Sequence, residues 1–320
     1  MEFKPIVYVL DPYHTDAIDL LNSNENINLI LPSASPDTLA QWPINATAVL
    51  VRSETILTKT LLSSAKSLKY VLKQGTGVNN IDLQACKELG IKVYYTPGIN
   101  SEAVAEFTLA LALDVARRVS EIDRRVRNGE VVVRSQVLGM SLHGKTLGIV
   151  GMGHIGRCIA RKWKGAMEGA VIGYDPYAAK DAWDGTEDKK SLEEVLKVAD
   201  VVTLHVPLTD GTRGLIGEQQ LGWMKKDAIL INAARGGIVD EKALGRALEQ
   251  GRLWGAALDS TDTEPPTRDV YGELLENQNV ILTPHVGAST RENQSRSGVA
   301  VVETLFKVLE GQDVPSYRAA

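Results

Sequence analysis

The sequence predicts an α/β protein with two doubly wound parallel sheets, one in each of two domains. Three observations carry this prediction. Short β-rich runs alternate with helical patterns through the first hundred residues, and a longer alternation of the same kind starts near residue 146. Alternation of this sort produces parallel strands with helices on the sheet faces. The chain has 320 residues, beyond the roughly 250–300 at which single cores stop growing. A glycine loop of the form G-x-G-x-x-G sits at the start of the second alternation, where a strand gives way to a helix.

The first domain, residues 1–100, supplies the runs Ile6–Leu10, Ile27–Leu31, Ala48–Arg52, Lys69–Lys73 and Lys92–Tyr95. Each is bounded by Pro, Asn, Ser or Gly, as strands are. Asp16–Leu21, Lys59–Ser64 and Asp82–Leu89 mix polar and apolar residues as connecting helices do. Pro97-Gly98 punctuates the chain. A long Ala/Leu-rich helix through Phe107–Val115 follows, with Ser101 as its candidate cap. The second domain, residues 101–290, then offers Thr146–Val150, Ala170–Tyr174, Val201–His205, Ala228–Asn232, Gly255–Asp259 and Val280–Thr283. They recur at about the length of a βα unit. Both sheets are thus read as Rossmann-like or flavodoxin-like. The last helix, near Gly298–Leu309, is expected to cross back, so that residues 291–320 close a discontinuous first domain.

Composition excludes several classes. Apolar residues make up 44% and charged residues 23%, with a net charge of −5, so disorder is not expected. A nucleic-acid binder would carry a basic stripe or domain. No apolar run approaches the roughly 18 residues of a membrane span, and Ile6–Leu10 is too short for a signal-peptide core. Cys86 and Cys158 are the two cysteines, and they suit neither a disulfide framework nor a thiolate metal site, so a reducing cytoplasm is expected. The sequons at Asn45 and Asn293 read as chance. No His/Asp/Glu spacing suggests a metal, and no G-x-S-x-G elbow suggests a hydrolase.

Gly151-Met152-Gly153-His154-Ile155-Gly156 directly follows the strand Thr146–Val150 and opens the helical run Ile155–Trp163. Gly151 permits the tight turn, Gly153 lets backbone approach a pyrophosphate, and Gly156 lets helix and strand pack closely. The pyrophosphate then meets free N–H groups at the helix start. Asp175 ends the next strand about 20 residues past the last glycine, where a ribose ligand belongs. Its carboxylate accepts from a 2′-hydroxyl and repels a 2′-phosphate, so NAD is expected rather than NADP. His205 also leaves a strand, and it is a candidate lining of the same site.

Three later strands end beside ionisable groups: Arg235 after Ala228–Asn232, Glu264 after Gly255–Asp259, and His285 after Val280–Thr283. Ligands of open α/β sheets bind at the carboxyl ends of strands. Arginine grips a carboxylate bidentately, histidine shuttles a proton near neutral pH, and a carboxylate beside it orients the ring. Together they suit hydride transfer at a 2-hydroxy acid.

The stretches Lys73–Asp82, Gly151–Gly156, Asn232–Asp240, Asp259…Glu264-Pro265-Pro266 and His285–Thr290 make the chain resemble the D-isomer-specific 2-hydroxyacid dehydrogenase family over nearly its whole length. The resemblance implies that Arg235 binds substrate, His285 is the acid/base and Glu264 pairs with it. It implies that the backbone of Gly75, Thr76, Gly77 and Val78 holds the substrate carboxylate from the first domain. It places His205, Pro207, Ala233 and Asp259 beside the nicotinamide half, with His154, Ile155 and Gly287 in the cofactor set. It further implies a homodimer built on the nucleotide-binding domain. Arg52, Lys73 and Arg134 match cations of those members that act on a phosphorylated acid such as 3-phosphoglycerate, whose C-terminal regulatory domain is not expected here. Lys73 stands where arginine is more usual, Gln74 is bulkier than expected, and Val131-Val132-Val133 replaces a more polar stretch. Reduction of hydroxypyruvate or glyoxylate therefore stays open, as does a non-catalytic NAD-sensing corepressor role. Glu264 argues against formate dehydrogenases, which carry an amide there.

Overall fold

The computed structural model describes residues 4–178 and 190–319. They divide into two units, residues 1–100 with 289–320, and residues 101–288.

The first unit holds β1 (Ile6–Val9), β2 (Asn28–Ile30), β3 (Ala48–Val51), β4 (Tyr70–Lys73) and β5 (Lys92–Tyr95). All pairings are parallel, in the order β2-β1-β3-β4-β5, which is the flavodoxin-like order. The central strands read as continuous apolar runs because both faces are covered. Val49 and Val71 point into a cluster with Leu62, Ala85 and Cys86, while Ala48, Leu50 and Leu72 point to the other side. On that second face the helix Arg291–Leu309 buries Val301, Val302, Leu305 and Val308 with Leu21 of the helix Thr15–Asn22. The returning helix starts at Arg291, with the Thr290 hydroxyl accepting from the Asn293 N–H. Its polar opening turns explain why sequence periodicity registers only from Gly298.

The second unit holds β6 (Leu147–Val150), β7 (Val171–Tyr174), β8 (Val201–Leu204), β9 (Ile229–Asn232), β10 (Gly255–Leu258) and β11 (Val280–Leu282). The order is β11-β10-β9-β8-β6-β7, again all parallel. It repeats the flavodoxin-like order and adds one strand at the far edge. The chain reverses direction across the sheet between β6 and β8, so their carboxyl ends flank a crevice suited to a ligand. Leu147 and Ile149 face the helices Ser101–Arg117 and His154–Met167, where Trp163 is fully buried. Val150, Val202 and Leu230 face Leu196, Leu244 and Leu248 on the opposite side. Period-two alternation along the strands produces both faces. Ser101 lies inside the first helical turn and its buried hydroxyl has no hydrogen-bond partner, so it is not the cap that its position suggests. Among the described residues no helix is long and apolar enough to cross a membrane, and no group of three His, Cys, Asp or Glu could hold a metal ion.

Candidate active site

The glycine loop follows β6 directly. Gly151 sits at φ +102°, and a Cβ there would lie 2.6 Å from the His205 backbone. Both facts require glycine. A Cβ at Gly156 would overlap the Gly151 carbonyl oxygen, whereas one at Gly153 would meet nothing within 4 Å. The loop is therefore tight on its protein side and open at Gly153, the N-cap of the helix His154–Met167. The opening N–H groups of such a helix lack intrahelical acceptors and attract anions. His154 is exposed, with its Nδ1 3.3 Å from Arg157 Nη2, and Ile155 is half-buried.

Asp175 follows β7. Its Oδ2 accepts from the Met152 N–H at 3.0 Å and its Oδ1 from the Tyr177 N–H at 2.8 Å. The carboxylate is thereby fixed to the glycine loop. His205 follows β8, tied by its N–H to the Val150 carbonyl. Both its ring nitrogens are buried without a partner, and burial pushes the ring down to about 4. A neutral ring with orphaned polar atoms beside an open glycine loop fits a bound dinucleotide, which would supply the missing partners. Pro207 is exposed, and its carbonyl accepts from the Thr212 hydroxyl at 2.6 Å.

Arg235, Glu264 and His285 follow β9, β10 and β11, which are neighbours in the sheet. His285 Nδ1 lies 3.1 Å from Glu264 Oε2 and 3.2 Å from Oε1. Burial works to raise the Glu264 carboxyl, but the bond and charge of His285, the Thr261 backbone and the Arg235 guanidinium outweigh it and hold it below the ordinary carboxylate range. Burial, opposed by the Glu264 charge, lowers the Arg235 guanidinium. Arg235 Nη1 donates to the Ala234 carbonyl at 2.6 Å. Ala233 is buried beside it.

Sequence spacing gave no role to Asn232 and an incomplete one to Asp259. Asn232 Nδ2 donates to the carbonyls of Arg235 (2.9 Å) and Ser260 (3.2 Å), so one amide ties the Arg235 loop to the β10 exit. Asp259 is buried. Its Oδ1 accepts from the Thr283 hydroxyl (2.6 Å) and the Val286 N–H (2.8 Å), and its Oδ2 from the Gly287 N–H (2.8 Å). These bonds hold His285 at φ +57°, a conformation that non-glycine residues keep only under such constraint. A Cβ at Gly287 would meet Asp259 Oδ2 at 2.9 Å. A polar residue ending a buried strand was the available signal for both.

The first unit gathers its own polar residues at its strand exits. The Asp11 carboxylate, buried after β1, accepts from the Arg52 N–H and the Thr55 hydroxyl. Arg52 Nη1 donates to the Pro12 carbonyl at 2.9 Å. Lys73 is buried, and its Nζ donates to the Gln74 carbonyl at 2.9 Å. Gly75 sits at φ +115° and donates its N–H to Thr96. The Thr76 hydroxyl donates to Asn100, and Gly77 and Val78 are half-buried. Arg134 belongs to the second unit, exposed on the short turn Arg134–Gln136.

Comparisons with known proteins match this geometry to a family. The sequence profile described as "D-isomer specific 2-hydroxyacid dehydrogenase, NAD binding domain" covers residues 109–287. A D-3-phosphoglycerate dehydrogenase of Methanocaldococcus jannaschii is 41% identical over 96% of this chain and 58% of its own length. The chain thus spans somewhat under three-fifths of that relative. A hydroxypyruvate reductase of Thermotoga maritima is 37% identical over 95% of this chain and 98% of its own length. The crystal structure of D-lactate dehydrogenase from Aquifex aeolicus, complexed with NAD and lactic acid, superposes with a TM-score of 0.84 at 29% identity, covering 98% of each chain.

Proposed function

The chain belongs to the D-isomer-specific 2-hydroxyacid dehydrogenase family, and we propose from that premise that it is an NAD-dependent oxidoreductase interconverting a D-2-hydroxy acid and its 2-oxo acid. One observation carries the reading. Arg235, Glu264 and His285 leave three neighbouring strands of the sheet whose glycine loop is open to a dinucleotide at Gly153. Glu264 occupies Nδ1 of His285, which leaves Nε2 for the substrate oxygen. Nε2 takes the hydroxyl proton in oxidation and returns it in reduction. Glu264 compensates the charge that the ring then carries. The Arg235 guanidinium binds the substrate's carboxylate and oxo oxygen. Gly151, Gly153, His154, Ile155 and Gly156 would hold the pyrophosphate and Asp175 the ribose, with His205, Pro207, Ala233, Asp259 and Gly287 toward the nicotinamide, which when bound supplies or receives the hydride. On this reading the second unit binds NAD and the first, with its returning helix, binds substrate through Gly75, Thr76, Gly77 and Val78.

For the substrate itself, similarity to the phosphoglycerate dehydrogenase supports 3-phosphoglycerate and phosphohydroxypyruvate, with Arg52, Lys73 and Arg134 as phosphate ligands. One observation favours hydroxypyruvate or glyoxylate instead: Lys73 is buried and bonded to its own strand's end. Rates of NADH oxidation with phosphohydroxypyruvate, hydroxypyruvate, glyoxylate and pyruvate side by side decide between them. Preference for the phosphorylated acid, lost in Arg134→Ala, supports the first reading, and preference for an unphosphorylated acid removes it. NADH binding without turnover of any acid would point to a sensing scaffold. We further propose a homodimer formed through the second unit, where Val131, Val133 and Leu138 are exposed. A cytoplasmic location is in keeping with the unbridged Cys86 and Cys158.

A further inference from the structure

Glu264 belongs to an irregular segment, and its carboxylate is 38% exposed. Something else must fix the direction in which it points. The start of the segment is tied by Asn232 to the Ser260 carbonyl and by the Ser260 hydroxyl to the Ala234 carbonyl (3.2 Å). The residues just before Glu264 are held by two helices. Glu241, in the first turn of the helix Glu241–Glu249, accepts the Asp262 N–H at 2.8 Å. Tyr271, buried in the helix Arg268–Glu276, accepts the Thr263 N–H on its hydroxyl at 2.9 Å. The same hydroxyl donates to the Thr263 carbonyl at 3.4 Å. The Thr261 hydroxyl closes the segment on the Thr263 carbonyl at 2.9 Å. Two successive backbone donors thus end on side chains outside the Glu264–His285 pair, and an unpaired donor here would let the segment relax.

We infer that Glu241 and Tyr271 are positioning residues that aim Glu264 at His285, an inference resting on the acid/base reading above. Burial, then the charges of Asp262 and Asp240, raise the Glu241 carboxyl despite the Asp262 N–H and Tyr271 hydroxyl. An amide at 241 keeps an acceptor for the Asp262 N–H. Tyr271→Phe keeps the buried ring and removes only the hydroxyl.

The test compares Tyr271→Phe, Glu241→Ala and Glu241→Gln with the parent by two readouts. One is kcat for 2-oxo-acid reduction with KM for NADH. The other is the Nδ1–H resonance of His285 in protein labelled with 15N-histidine, identified by its loss in His285→Gln. Misaligned acid/base geometry costs about 10–100-fold in rate. Tyr271→Phe and Glu241→Ala are expected to lose that much in kcat with KM for NADH unchanged, and to lose or broaden the resonance. Glu241→Gln is expected to restore both. Tyr271→Phe with kcat or resonance equal to the parent overturns the inference, even if Glu241→Ala fails to fold. If the parent turns over no oxo acid, the acid/base reading falls separately, and the resonance in Tyr271→Phe alone decides whether the brace exists.

Discussion

His285 is held in a left-handed backbone conformation by the three bonds that the Asp259 carboxylate accepts and by its own N–H on the Asp259 carbonyl, and is paired through Nδ1 to Glu264. Strain kept at a strand exit by a buried carboxylate marks a residue whose direction matters. Loss of the acid/base costs roughly 10²–10⁴-fold, so His285→Ala should lose that much in kcat while circular dichroism stays unchanged. The Glu264 carboxyl lies below its ordinary value of 4.5. A depressed carboxyl keeps its interaction above the ordinary value and loses it as pH falls through the depressed one. The acid limb that Glu264 imposes on the rate should therefore lie below pH 4.5. A limb above that pH that vanishes in Glu264→Gln would contradict this. Asp175, fixed by the Met152 and Tyr177 amides, should set cofactor choice: Asp175→Ala should weaken NADH and narrow its advantage over NADPH in kcat/KM.

The glycine loop separates stability from binding within a few residues. A Cβ at Gly156 overlaps the Gly151 carbonyl, while one at Gly153 points into open space. Overpacking typically costs about 1–3 kcal/mol. Gly156→Ala should lower Tm, whereas Gly153→Ala should keep Tm and lose NADH affinity in calorimetry. Beside this loop, burial holds His205 at about 4 against an ordinary 6.5. A histidine kept neutral by folding stabilises fully above its ordinary value, and that contribution fades as pH falls through the folded one. The apoprotein should lose on the order of 3 kcal/mol more than His205→Asn between those two pH values in urea unfolding. At this scale much was legible. β6, the loop and Asp175 stand in sequence register because local spacing defines a βα turn. The helix Val119–Arg127 was not read, because Val119, Ile122 and Val126 are its only apolar residues. Nor were the roles of Glu241 and Tyr271, which arise only when distant helices meet one segment.

For the whole molecule, two alternations of strand and helix were enough to predict two parallel sheets, because burial on both faces demands apolar runs with helical covers. The strand orders were not readable, since nothing local says on which side of β6 the strand β8 returns. The exposed Val131, Val133 and Leu138 underlie the proposed dimer. Val131→Asp with Leu138→Asp should halve the mass measured by light scattering, and an unchanged dimeric mass would place the interface elsewhere. The most direct test of the whole account is oxo-acid-dependent oxidation of NADH by the parent and by His285→Ala, with the handedness of the product determined. The account predicts turnover of at least one 2-oxo acid to the D-2-hydroxy acid, reduced at least about 100-fold in the variant. An L product, or full turnover without His285, would contradict it.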